Sequence, residues 1–194
     1  MLKISSELQK VLVAFIVVTF VLQVVSSYSD VFYYKRDSFI KYFYYMWLTP
    51  NLVHINWMHW FLNILNFIAL IFLFEHIWSS KKIVLLFVLS SAFIMVCLYI
   101  FSTDIEFYVG MSGVLYAFAI YAAIAGLKEY RDLSFFVLLY LVLKVFAHDF
   151  INKITFVDEM LNSFIIVVDV HIYGIIFGLI FLIVEKFLIV FRLS

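Results

Sequence analysis

The sequence predicts an all-α membrane protein: a bundle of six transmembrane helices with both termini on the cytoplasmic side. Three observations lead there. First, 67% of the 194 residues are hydrophobic and the mean hydropathy is +1.13, more apolar surface than a soluble domain can hide. Second, the apolar residues fall into six runs separated by short polar or charged turns. Third, lysine and arginine are unevenly placed. With the N-terminus inside, the cytoplasmic segments hold Lys3, Lys10, Lys81, Lys82, Lys128, Arg131, Lys186 and Arg192. The outer segments hold only Lys35, Arg36, Lys41 and Lys153. The balanced formal charge and the lack of a basic cluster argue against a nucleic-acid partner.

Each element follows from its residues. The first helix, residues 8–27, is preceded by Lys3 and Lys10 and lacks a small-x-small cleavage site, so it reads as a retained helix and not a leader. Residues 30–54 mix Tyr and Phe with Lys35, Arg36 and Lys41, the composition of a segment lying in the membrane interface. The second helix spans residues 55–77. Lys81 and Lys82 turn the chain into the third, 83–101, and a loop with Asp104 and Glu106 follows. The fourth helix, 112–127, ends at the charged turn Lys128 to Asp132; the fifth is 133–147, with Lys144 able to snorkel. A polar stretch from His148 to Ser163 leads to the sixth, 164–184. Cys97, the single cysteine, lies inside an apolar run and reads as a small hydrophobe. With one proline (Pro50) and no Ser/Gly linker, residues 1–194 read as one domain.

Polar groups inside apolar runs are candidates for function because burying them in lipid costs several kcal/mol. Gly110-Met111-Ser112-Gly113 opens the fourth helix, with Tyr116 one turn below the serine on the same face. Glycines beside a serine remove Cβ atoms that would crowd a substrate or a neighbouring helix, and the serine N–H lies among the unpaired donors of a helix start. Small-residue patches in membrane helices are, however, more often packing surfaces. His59 and Asn63 share one face of the second helix, and His171 lies in the upper part of the sixth, ahead of Gly174 and Gly178. Helices two, four and six all run from outside to inside, so these groups all fall in the outer half of the bilayer. Sixteen residues make the fourth helix about 24 Å long, short of a ~30 Å core, which lowers Ser112 toward the depth of His171. A nucleophile, a base and two hydrogen-bond donors at one level are the minimum for acyl transfer. Asp169, two residues from His171, points nearly the opposite way and is not counted with them. His76 beside Glu75 reads as an inner-end pair, and His148 and Asp149 as interfacial.

His54-x-x-x-x-His59-x-x-x-Asn63, Gly110-x-Ser112-Gly113-x-x-Tyr116 and His171-x-x-Gly174-x-x-x-Gly178 together resemble the motifs of the rhomboid intramembrane serine proteases, over nearly the whole chain. The resemblance implies a rhomboid-like bundle and a Ser112–His171 dyad without a carboxylate. It also implies an oxyanion hole from the Ser112 N–H with the His59 and Asn63 side chains, and a Tyr116 ring stacked on His171. His54 would be structural or water-organising, and Glu75 would correspond to a polar residue of the family near the inner end of helix two. The substrates implied are transmembrane proteins within the lipid bilayer, with no cofactor or metal. The family's first loop often carries a Trp-Arg pair; here Tyr45-Met46-Trp47 stands in that region and the arginine is missing. Asn56-Trp57-x-His59-Trp60 and Val168-Asp169-x-His171 look more like the rhombosortase branch, which implies a bacterial inner-membrane enzyme processing C-terminal Gly-Gly anchors.

Three alternatives stay open at this level. One is a general rhomboid protease of other transmembrane substrates; another is a non-catalytic membrane binding protein or transporter. The third is a metal or haem site using His54, His59 and His171. Against that third reading, His54 and His59 are five apart and would diverge on a helix, and no thiolate or carboxylate completes a shell.

Overall fold

The computed structural model describes residues 5–151 and 167–193, with side chains described over 5–145 and 167–188. The expected polar stretch from 152 to 163, the start of the sixth span at 164–166, and the side chains of His148 and Asp149 lie outside the described residues. The elements are α1 (Ser6–Ser26), β1 (Tyr34–Lys35), α2 (Phe43–Met46), α3 (Trp57–Leu73), α4 (Ser80–Phe101), β2 (Phe107–Tyr108), α5 (Ser112–Ala125), α6 (Arg131–Ile151) and α7 (Val168–Leu193). Apart from the four-residue α2, the helices match the six expected apolar runs in order. The protein is an all-α integral membrane protein. Among the described residues, Ser6–Ser26, Ser80–Phe101 and Val168–Leu188 are long and apolar enough to cross a bilayer, while α3 and α5 are shorter apolar helices.

The helix ends correct several expected boundaries. The second span stops at Leu73, not 77: Phe74 leaves helical geometry (φ −118°, ψ 40°), and the Leu70 carbonyl is taken by both the Phe74 N–H (3.3 Å) and the Trp78 indole (3.1 Å). α4 begins at Ser80, because the Ser79 hydroxyl accepts from the Lys82 N–H (3.3 Å) and caps it. Lys81 and Lys82 thus belong to its first turn. α5 ends at Ala125, two residues early, where Gly126 donates back to Ala122 (2.8 Å) and a Cβ would meet that same oxygen. α7 runs on past 184 to Leu193, since Glu185 is neutralised by Lys82 (3.0 Å) and accepts from the Tyr121 hydroxyl (2.5 Å).

Helix α5 is the centre of the bundle. It packs against α3, α4, α6 and, most extensively, α7, and Gly113 to Ala123 are all buried. Lipid removes the hydrophobic drive between helices, so close van der Waals fit decides their association. The stretch expected in the interface, residues 30–54, is a folded loop. Tyr34 and Phe39 are buried within it, Tyr44 stays exposed, and β1 pairs antiparallel with β2 in the register Tyr34 to Tyr108 and Lys35 to Phe107. That two-residue pairing lays the first loop against the residues leading into α5.

Candidate active site

Gly110 enters α5 from β2 with φ +126°, a conformation that side-chain-bearing residues rarely adopt, and a Cβ there would sit 2.7 Å from His59 Cε1. The Gly110 N–H donates to the Pro50 carbonyl (2.8 Å), and its own carbonyl accepts from the Tyr108 hydroxyl (2.5 Å). Burial raises the Tyr108 phenol above its ordinary range, partly offset by the Ser112 hydroxyl and the Gly113 backbone beside it. The phenol therefore stays protonated as a donor. The turn is held from both sides before the helix starts.

Ser112 is the first residue of α5, and its N–H has no helical partner. Its Oγ lies 2.9 Å from Nε2 of His171 on α7. The imidazole stacks flat on Tyr116, with ring centroids 4.2 Å apart and planes inclined by 9°. Glycine sets this spacing. A Cβ at Gly174 would fall on the Gly113 carbonyl oxygen, and one at Gly178 would lie 2.5 Å from the Ala117 carbonyl oxygen. α7 therefore rests on the backbone of α5.

A cavity of about 700 Å³ opens over these groups. His59, Asn63, Ser112, Tyr116 and His171 all line it, so five of the residues expected at the site are brought together. Asn56 caps α3 by accepting from the His59 N–H (2.8 Å), and Asn63 Nδ2 donates to the His59 carbonyl (3.0 Å). One amide hydrogen of Asn63 remains beyond that bond. The cavity continues between α3 (Asn66, Leu70) and α6 (Tyr140, Leu141).

His54 departs from expectation in its placement. It precedes α3 instead of lying on it, so its ring is not diverging from His59: the two meet edge to face at 5.0 Å. The geometric argument raised against a metal site therefore does not hold, although no group of three or more metal-ligating side chains occurs among the described residues. His54 Nε2 accepts from the Met111 N–H (3.4 Å), and burial, helped by His59, holds its imidazole down at about 3. It does not line the cavity. It is a support beneath the Gly110 turn.

The sequence reading missed three groups. Gln23 on α1 brackets the His54 backbone, donating to its carbonyl (3.0 Å) and accepting from its N–H (2.8 Å). A buried glutamine in an apolar span was a visible signal. Arg36 anchors the first loop although the Trp-Arg pair is missing from it: its guanidinium donates to the carbonyls of Leu98 (3.4 Å), Tyr99 (2.6 Å) and Ser102 (3.0 Å) at the end of α4. Tyr108 carried no sequence signal beyond its type. Asp169, set aside as a partner of His171, does face elsewhere and accepts from Ser102.

A largely apolar cavity into which His59, Asn63, Ser112 and His171 project, set among apolar helices, defines an integral membrane protein with an embedded candidate site. Residues 42–186 match the Rhomboid domain family, well over half of the chain, and the protein belongs to that family of intramembrane serine proteases, which act on transmembrane substrates. No curated protein matches the chain.

Proposed function

We propose that the protein is a single-domain intramembrane endopeptidase in which Ser112 is the nucleophile and His171 the base. The observation carrying this reading is the 2.9 Å contact between Ser112 Oγ and His171 Nε2, with the imidazole stacked on Tyr116. For Nε2 to accept, the ring proton sits on Nδ1. Ser112 Oγ attacks the peptide carbonyl as its proton passes to Nε2; the imidazolium then protonates the leaving amine, and water hydrolyses the acyl-enzyme by the reverse sequence. The Ser112 N–H and the side chains of His59 and Asn63 receive the oxyanion, each such donor being worth ~10²–10³ in rate. Gly110 and Gly113 keep the backbone approachable, and Gly174 and Gly178 bring His171 within reach.

The substrate in this reading is the membrane anchor of another protein, entering between α3 and α6 and unwinding to expose its carbonyls. The lysine and arginine distribution supports an N-in, C-in orientation in a bacterial inner membrane; in this reading the cavity mouth faces the outer side and products leave outward. The Asn56 to Trp60 and Val168 to His171 patterns favour C-terminal anchors bearing a Gly-Gly pair. Glycine lowers the cost of extending a helix by roughly 1 kcal/mol per residue relative to alanine.

A fluorophosphonate probe tests the chemistry: wild type is labelled at Ser112, and Ser112→Ala and His171→Ala are not. A labelled Ser112→Ala protein would refute the dyad. A secreted reporter with a Gly-Gly anchor, followed by mass spectrometry, tests the substrate class. Changing Gly-Gly to Leu-Leu suppresses its processing if the subgroup is right, and equal processing of both refutes it.

A further inference from the structure

His171 rides on the first turn of α7, brought close to α5 by the glycine seam. The contact is made by backbone with the Ile120 and Val170 side chains set beside it, so it fixes how close the helices come, while carrying, among the described residues, no hydrogen bond to orient the turn that bears His171. A one-residue slip would displace the imidazole by about 1.5 Å along the axis and about 100° around it, enough to break a 2.9 Å contact. Glu185 holds the far end of α7 to Tyr121 and Lys82, and the turn that carries His171 needs a directional hold of its own.

The opposite face of that turn carries such a device. Asp169 and Tyr173 flank His171 by two residues on each side, roughly 200° round the helix from it, and both reach Ser102 at the end of α4. Ser102 Oγ lies 2.5 Å from Asp169 Oδ2 and 2.9 Å from the Tyr173 hydroxyl. The carboxylate only accepts and the serine has one proton, so the direction is settled: Tyr173 donates to Ser102, and Ser102 donates to Asp169. Ser102 is itself fixed. It is buried, its N–H donates to Leu98 (3.2 Å), and its carbonyl takes Arg36. Arg36 in turn spans the last carbonyls of α4, where positive charge is favoured, and its backbone N–H donates to the Glu106 backbone carbonyl (3.1 Å). Asp169 sits in the first turn of α7, the favoured end for a negative charge.

We propose that Asp169 is a positioning residue: through Ser102 it locks the first turn of α7 to α4, and so sets the height and rotation at which His171 meets Ser112. The clip and the dyad grip the same turn from opposite sides, and Arg36 ties that lock to the first loop. This rests on the dyad reading above.

The test compares Asp169→Ala, Asp169→Asn, Ser102→Ala and the Asp169→Ala/Ser102→Ala double variant in purified, detergent-solubilised protein. Three readouts are used: the rate of fluorophosphonate labelling, kcat and KM on an anchored reporter, and the imidazole ¹⁵N resonances of His171. Asp169→Ala is expected to slow labelling at least tenfold and to lower kcat alike, with KM within twofold. Its His171 resonances move. Asp169→Asn, which keeps an acceptor oxygen, stays within threefold of wild type, and the double variant is no slower than the slower single. Labelling of Asp169→Ala within twofold of wild type overturns the proposal. So do multiplicative effects in the double variant, or a loss in Asp169→Asn equal to that in Asp169→Ala. Should Asp169→Ala not fold, Tyr173→Phe, which keeps the ring and removes one bond of the clip, carries the same comparison. If wild type itself is not labelled at Ser112, the dyad reading fails, and the His171 resonances alone decide whether the clip sets the ring.

Discussion

The two sides of α5 are built differently. Toward α7 it presents Gly113 and Ala117 to Gly174 and Gly178, and the contact is backbone on backbone: a Cβ at Gly113 would lie 2.8 Å from the Val170 carbonyl oxygen. Toward α3 and α6 the bundle opens into the cavity. There α6 is held mainly by a stripe including Val137, Leu138 and Leu141, while Phe135, Phe136, Tyr140 and Leu143 are exposed. The tight seam holds the serine and the histidine, which tolerate only tenths of an ångström. The open side borders the space a substrate would occupy and has room to adapt. Rigidity and access are separated onto opposite faces of one helix.

The largest effect should come from the proposed nucleophile on the tight side. Ser112→Ala is expected to reduce turnover of an anchored reporter more than a thousandfold while leaving circular dichroism and thermal unfolding unchanged, because alanine suits a helix start in this position. Residual activity of a few per cent would remove Ser112 from the mechanism. On the cavity side, Asn63→Ala should lower kcat by ~10²–10³ with little change in KM, since a donor to the oxyanion acts only in the transition state. A change confined to KM would make Asn63 a substrate contact instead.

The contrast itself is tested by a pair of substitutions. Gly174→Val places branched carbons against the Gly113 carbonyl and should cost upward of ~2 kcal/mol of stability, along with phosphonate labelling. Phe135→Ala, on the exposed face of α6, should stay within about 0.5 kcal/mol and label normally. Equal tolerance at both positions, read by thermal unfolding in detergent, would erase the distinction.

An effect seen only on acidification concerns the support under the Gly110 turn. Burial holds His54 at about 3, below its ordinary 6.5, so the folded state binds fewer protons than the unfolded one. The stability this represents is complete above pH 6.5 and is lost as pH falls toward 3. Between pH 7 and 5 the loss is about 2 kcal/mol. His54→Gln, which cannot titrate, should flatten that part of the pH–stability curve; an unchanged slope would show that other groups govern it.

Much of the site was legible because its residues come in short patterns. His59 and Asn63 share a helix face by spacing alone, as do Ser112 and Tyr116, and the glycines before Ser112 mark a tight turn wherever it folds. The apolar runs were equally plain, since a span declares itself within some twenty residues. The errors lie where a local pattern competes with a distant partner. The end of α3 is decided by the Trp78 indole, and the extension of α7 by Lys82 and Tyr121 receiving Glu185. His54 was placed against a helix geometry it does not have.

Composition, the order of the six apolar runs and the three motifs were therefore determined by the sequence itself, because hydropathy and helical periodicity act over a few turns. The tertiary structure alone decided the meeting of Ser112 with His171, 59 positions apart, at 2.9 Å. It also decided the reach of Arg36 to the end of α4, 66 positions away at Ser102, and the turning of Asp169 onto Ser102. Such contacts depend on how far each helix is rotated and slid against its neighbour. That is set by the packed glycine seam and the hydrogen bonds across it, which no single stretch of the chain contains.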